Sequence, residues 1–216
     1  MIRRVSAPVA FAPCTVGGPP WATAASSAPP PVAAYGKLPA IEALSLSPSG
    51  QRYAFIAVVG EARKLVAETV DGSKVLLAQG VGKAKVRSVE WAGEDHLLVT
   101  ITSTVNIGMD FTQPVEELAS VVVIDLQKRK SFEVSADYPH VAKTVCGSFG
   151  TATVGGRLYG YFGGITFARV GSKDYFQHGY PDLYRVDLES GQPTFAARGS
   201  ETIDGWLVSP ARQVDL

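Results

Sequence analysis

"LSLSPSGQRYAFIA", residues 44–57, decides how this chain is read. An apolar alternation reaches Leu46, breaks at Ser47-Pro48-Ser49-Gly50, and resumes as Tyr53-Ala54-Phe55-Ile56-Ala57. Alternation at a period of two marks strands, and a Ser/Pro/Gly cluster between two such runs marks the turn of a hairpin. By itself this is an ordinary hairpin. Its recurrence gives it meaning.

"VRSVEWAGEDHLLVTI" (86–101) repeats the layout, with Trp91-Ala92-Gly93-Glu94 where Ser47-Pro48-Ser49-Gly50 stood. The offset of roughly 44 positions lies in the range of propeller repeats. "GTATVGGRLYGYFGG" (150–164) is a third copy, turning at Gly155-Gly156, and "IDGWLVSPARQVDL" (203–216) begins a fourth. A second kind of hairpin sits between these: "LVAETVDGSKVLLA" (65–78), "SVVVIDLQKRKSFEV" (120–134) and "DLYRVDLESGQPTFAA" (182–197). In the first of them Asp71-Gly72 signals a two-residue primed turn. Glu68-Thr69-Val70, Ile124-Asp125-Leu126 and Val186-Asp187-Leu188 occupy equivalent places before their turns.

Two hairpins per unit make four antiparallel strands, the content of a β-propeller blade. A lone blade bares apolar surface on both faces and needs neighbours to cover it. Strands apolar at nearly every position, such as Val121-Val122-Val123-Ile124, fit that requirement. Trp91 and Trp206, each just before a turn, suit packing between blades. The expected fold is all-β: a partial β-propeller of about three four-stranded antiparallel blades plus the start of a fourth. A β-sandwich is the alternative, and the repeated order of hairpins favours the propeller. Two inserts, 102–118 and 166–181, interrupt the rhythm; they carry Met109-Asp110-Phe111 and Lys173-Asp174-Tyr175-Phe176-Gln177-His178. Either insert serves a binding function or is a plain surface excursion.

Lys+Arg and Asp+Glu balance at 20 each among 216 residues, which gives no charge-based reason to expect a nucleic-acid partner. No apolar run is long enough for a transmembrane helix. Residues 1–34 read as a leader or a disordered Ala/Pro-rich segment, and residues 35–216 as the incomplete propeller domain. Met1-Ile2-Arg3-Arg4 and the small-residue stretch Ala22–Ala28 resemble an export signal, although prolines interrupt the apolar part between them. Export to a periplasmic or extracellular location is the expectation. Pro13 before Cys14 departs from what lipoprotein processing needs. A Cys14–Cys146 disulfide is not expected, and Cys146 reads as a small buried residue.

The residues show no catalytic set. His96, His140 and His178 lack metal-ligand spacing and read as turn or surface residues. Glu94-Asp95 reads as a solvated turn, and Glu116-Glu117 as edge charge. Neither a G-x-S-x-G elbow nor a phosphate loop is present. No catalytic, cofactor-binding or metal residue is therefore assigned, and no cofactor is expected.

"YGKLPAIEALSLSPSGQRYAFIA" resembles the opening of the N-terminal propeller in serine peptidases of the prolyl oligopeptidase family. "VEWAGEDHLLVTI" is similar to that family's Trp-x-x-Asp/Glu-Asp strand pair, and "GYPDLYRVDLESG" to its blade motif. The likeness covers roughly residues 35–208. It implies a propeller that caps a C-terminal α/β-hydrolase domain and limits entry to short peptides, with the Ser, Asp and His of the triad in that later domain. No position here matches those residues, so none is carried over. The resemblance thus implies a non-catalytic propeller fragment of an exported peptidase, with the hydrolase domain and short peptides as the full-length relative's partners. An abrupt stop at "SPARQVDL" reads as a truncated or split frame. Open flanks on an unfinished ring lead to an expectation of marginal stability or aggregation. The alternative is a free-standing propeller-like module that binds a peptide or protein partner; an enzyme with an unrecognised site in the inserts is a third reading.

Overall fold

The computed structural model describes residues 30–36, 39–106, 114–171, 173–209 and 214–215. Residues 1–37 and 38–216 form two units. In the first, α1 (Val32–Tyr35) is a single helical turn directly after Pro31. Most of the leader (1–29) lies outside the described residues, as do Cys14 and Met109-Asp110-Phe111.

The second unit is built from four-stranded antiparallel meanders. Strands β1 (Ile41–Leu46), β2 (Arg52–Val59), β3 (Ala62–Thr69) and β4 (Val75–Gly80) pair in chain order as the first sheet. Strands β5 (Lys85–Ala92), β6 (His96–Asn106), β7 (Val115–Asp125) and β8 (Lys130–Glu133) form the second in the same way. The third joins β9 (Ser148–Val154), β10 (Arg157–Gly164), β13 (Asp182–Asp187) and β14 (Pro193–Ala197). Between β10 and β13 the chain forms a separate two-stranded hairpin, β11 (Phe167–Val170) with β12 (Lys173–Phe176). A last pair, β15 (Leu207–Val208) and β16 (Val214–Asp215), starts a fourth sheet. The strand order anticipated from the hairpin repeats is the order observed.

Alternating side chains explain the stacking. Along β6, Leu97 and Val99 join Ala54, Ile56, Leu65 and Ala67 of the first sheet in one core, together with Val89 and Ile124. The intervening Leu98 joins Val121, Val123, Phe162, Val186 and Leu188 in a core shared with the third sheet. The second sheet therefore buries both faces, and a run of consecutive apolar residues is what such a strand requires. Innermost strands touch from sheet to sheet, β1 against β5 and β9 against β15. This is the packing of propeller blades.

The third sheet's far face carries Ala152, Tyr161 and Leu183, and it is covered by Trp206 with Ile203 and Val208. The Trp206 ring stands edge-on to Phe149, 5.0 Å between centroids. Trp91 donates its indole N–H to the Ser45 carbonyl of the first sheet at 3.1 Å. Both tryptophans therefore serve inter-sheet contacts. Among the described residues nothing covers the first sheet's far face in this way: Ile41, Leu44 and Leu46 are 53%, 62% and 61% exposed.

Several local expectations change. Asp71-Gly72 is not a two-residue primed turn. Gly72 has φ +70° while Asp71 keeps a negative φ, and the Thr69 amide pairs with the Lys74 carbonyl around a four-residue loop. The Asp71 carboxylate accepts from the Ser73 amide (3.0 Å) and hydroxyl (2.8 Å), which makes the longer turn favourable. The 102–118 insert is largely strand: β6 and β7 stay in register out to Asn106 opposite Val115. Cys146 is half-buried rather than a core residue, since neighbouring Val145 takes the core position. Burial pushes its thiol up.

Candidate functional site

The two inserts and the turns that join the sheets are where side chains other than apolar ones converge. The turn Ser47–Gly50 meets the turn Gly93–Asp95 of the next sheet. Glu94 Oε1 accepts the Ser49 amide at 2.7 Å, and Oε2 accepts the Ser49 hydroxyl at 2.9 Å. Arg52 Nη1 donates to the Glu94 carbonyl at 2.6 Å and to Asp95 Oδ1 at 2.9 Å. Burial works to raise the Glu94 carboxyl, but the Ser49 amide and hydroxyl outweigh it and the net shift is downward. Asp95 is held low chiefly by a hydrogen bond from the Gln127 side chain, with Arg52 adding to it. Glu94-Asp95 is thus an inter-sheet clasp and not a solvated turn. One-dimensional reading missed it because the partner lies more than forty residues earlier.

The residues before the second turns form a structural series, as their positions in sequence indicated. Asp125 accepts the amides of Gln127 (2.9 Å) and Lys128 (2.8 Å), and Asp187 those of Glu189 (2.9 Å) and Ser190 (3.0 Å). Burial alone would raise each carboxyl; these amide donors bring both below the ordinary value. His96 is buried beside Asp125, Nε2 3.8 Å from Oδ2, so it is not a surface residue. The strand register places it there, directly opposite Asp125.

At the first insert, Glu117 lies in a polar ladder across β5, β6 and β7. It accepts the Thr102 hydroxyl at 2.6 Å, pairs with Arg87, and stands 3.5 Å from Lys85 Nζ. The hydrogen bond from Thr102, followed by that from Arg87, lowers its carboxyl to about 2. The arrangement is exposed and self-satisfied.

The second insert is rooted in a buried network. Asp182, the first residue of β13, has no exposed surface. Its Oδ1 accepts the Gly199 amide at 2.8 Å, and its Oδ2 accepts the Thr166 hydroxyl. Having given its only proton to a carboxylate, the Thr166 oxygen accepts from the Tyr184 phenol at 2.7 Å. Burial is the main influence raising Tyr184. His178 brings Nε2 to 3.1 Å from Asp182 Oδ1, an ion-pair distance, yet the atom makes no hydrogen bond because its direction is off-line. The Nδ1 atom accepts the Tyr180 amide at 3.3 Å, which places the ring proton of the neutral form on Nε2. A Cβ on Gly199 would come within 2.0 Å of the Pro181 carbonyl, so glycine is required at this crossing. His178, assigned from sequence to a turn or the surface, is instead a partner of a buried carboxylate; His140 is exposed, as expected.

A phenol–hydroxyl–carboxylate chain beside an imidazole resembles acid–base machinery, but Asp182 is sealed from solvent and Tyr184 nearly so. The network pins Thr166, His178 and Gly199 around the start of β13 and thereby anchors the hairpin β11–β12. Beside that hairpin lies an open recess of about 410 Å³, bordered by Tyr138, Val141, Lys143, Phe167 and Asp174. Among the described residues, no group of three His, Cys, Asp or Glu side chains is placed to hold a metal. No helix among them is long and apolar enough to cross a membrane. The only sign of this network in sequence was an acidic residue opening a strand directly after a proline.

No protein-family model matches the chain, and no curated protein matches it in sequence. Among solved structures, it is similar to an acylaminoacyl peptidase in complex with Z-Gly-Gly-Phe-chloromethyl ketone, with 14% identity and a TM-score of 0.45 over 80% of this chain and 27% of the other. It is also similar to TolB from Acinetobacter baumannii (13% identity, TM-score 0.42, 81% of this chain and 36% of the other). A puromycin-hydrolysing peptidase of Mycobacterium tuberculosis aligns at 14% identity with a TM-score of 0.33, over 78% of this chain and 30% of that one. The chain thus aligns with only about a third of the length of each of these proteins.

Proposed function

We propose that this chain is the non-catalytic propeller segment of an exported serine peptidase of the prolyl oligopeptidase type, and that it acts by helping to enclose a hydrolase domain that cuts short peptides. One observation carries the reading: the bare far face of the first sheet. Leu46, Tyr53, Glu68 and Val75 form one row across that sheet, in which the Tyr53 phenol donates to the Glu68 carboxylate, with Phe55 and Val66 in the next. Every other large sheet face in the unit is covered by a neighbour. A largely apolar exposed face of this kind belongs against another sheet. The motifs of the turns and blades supply the family to which that neighbour would belong.

The test is the reading frame beyond codon 216, followed by expression of the longer product. Further blades and a G-x-S-x-G segment are expected, with cleavage of a proline- or alanine-containing chromogenic peptide by the long product and none by residues 1–216. If residues 1–216 are monomeric by light scattering, melt sharply and turn the peptide over, the proposal fails. Export is tested by fractionation, which should find the mature product outside the cytoplasm.

The recess beside β11–β12 supports a second reading, a free-standing module that holds a peptide or protein partner. It pairs aromatic walls, Tyr138 and Phe167, with the charges of Lys143 and Asp174.

A further inference from the structure

The outermost strands of the three sheets are guarded unequally. Strand β8 is only four residues long and carries Lys130 and Glu133, while β14 begins with Pro193. Short length, charge and proline are the devices that keep a sheet edge from pairing. Strand β4, Val75-Leu76-Leu77-Ala78-Gln79-Gly80, has neither charge nor proline. A bulge at Leu76 protects its first half, where the register shifts between Ala67 and Glu68. Residues 77–80 have no such protection.

The ladder bond from the Val81 amide to the Arg63 carbonyl sets the alternation along this strand. With Gln79 opposite Leu65 and Leu77 opposite Ala67, the main-chain groups of those residues turn inward to β3. The amide and carbonyl of Ala78 and Gly80 then point outward, along the open edge.

Because the sheets splay outward from their touching inner strands, β4 does not close against the second sheet. A groove of about 360 Å³ separates them, with Leu77 and Gln79 on one wall and Ile124, Asp125, Leu126, Arg129 and Lys130 on the other; the Asp125 carboxylate there is taken up by the Gln127 and Lys128 amides. Lys128 nearby is engaged with Asp125 and Glu189, at 3.5 Å each. Arg129 and Lys130 are exposed, and no ion pair to either is found among the described residues.

We propose that the open edge of β4 takes up an extended acidic segment of a partner protein as a fifth strand of the first sheet. Alternate side chains of such a strand would fall on the two faces that β4 itself presents. Those on the face of Leu77 and Gln79 overhang the groove and meet Arg129 and Lys130, so acidic residues fit there. The others continue the apolar face of Phe55 and Val66. The partner's pattern is therefore acidic and apolar in alternation. The edge borders the uncovered face on which the proposed function rests, and the added strand would lengthen that face by one row without covering it.

Fluorescence anisotropy with the full chain and a labelled peptide of alternating glutamate and valine tests this. Binding is expected, with the lysine–valine counterpart at least about tenfold weaker because like charges meet. Ala78→Pro removes an outward donor and should abolish binding. Paired Arg129→Asn and Lys130→Gln substitutions should weaken it several-fold and flatten its salt dependence; asparagine suits the positive φ of Arg129. Should Ala78→Pro fail to fold, N-methylation of alternate peptide bonds in the glutamate–valine peptide must abolish binding to the unmodified chain. Equal binding of both peptides, binding of neither, or indifference to Ala78→Pro would overturn the proposal. So would a dimer seen by sedimentation and lost in Ala78→Pro, which would give the edge to a second copy instead.

Discussion

The joint between the first and second sheets and the joint between the second and third solve the same packing problem differently. The first packs aliphatic side chains, among them Ile56, Leu65, Leu97 and Ile124, with Trp91 against them, and adds the polar clasp of Ser49, Arg52, Glu94 and Asp95 at its rim. The second is centred on one enclosed aromatic ring. Phe162 is 1% exposed and sits among Val121, Val123, Val145 and Leu188, while Phe132 leans on Gly191 and Leu158 on Gly93. Gly160 makes room for Phe162, since a Cβ there would lie 2.6 Å from its ring. One joint adds directional contacts at the rim of an aliphatic core; the other seats an aromatic ring where glycine leaves space for it. The fold can thus be pulled apart at different places by different means.

The largest effect is expected at the second joint. Phe162→Ala should cost about 3–5 kcal/mol, because the aromatic is fully enclosed and its cavity cannot collapse onto a rigid sheet. Denaturant unfolding measures it; a loss below about 1 kcal/mol would mean that the two joints do not differ in kind. At the first joint, Trp91→Phe keeps most of the packing but leaves the Ser45 carbonyl without its indole donor, at a cost of about 1–2 kcal/mol.

The smallest effect is acid sensitivity of the clasp. Glu94 and Asp95 have folded carboxyls lowered from 4.5 and 3.8, so their stabilisation is complete above those values and is lost as pH falls through the depressed ones. Hydrogen exchange of the Ser49 amide, corrected for intrinsic rate, should lose protection between neutral pH and about pH 3. The Val145 amide, bonded to the Ala119 carbonyl of β7 at 2.8 Å in the second joint, should keep its protection. Equal loss at both would show that the clasp has no local role.

Residues 44–57 and their echoes told the order of strands correctly, because alternation and turn chemistry are local properties. Ser47–Gly50 turns where its residues say it should, and Thr69, Asp125 and Asp187 close their strands at matching points. Polar residues were less legible. His96 and His178 looked like surface residues, and Glu94-Asp95 like a solvated turn, since nothing nearby in sequence announces their partners. Asp182 drew no attention, although it anchors the second insert.

Hydrophobic period and turn residues by themselves therefore determined a series of four-stranded meanders, for these depend on neighbours two to five positions away. Only the tertiary structure decided which charges become buried partners, which sheet face stays bare, and which strand edge is left open. Those outcomes depend on contacts between residues forty or more positions apart, such as Arg52 with Asp95, and on how far stacked sheets diverge from their inner strands.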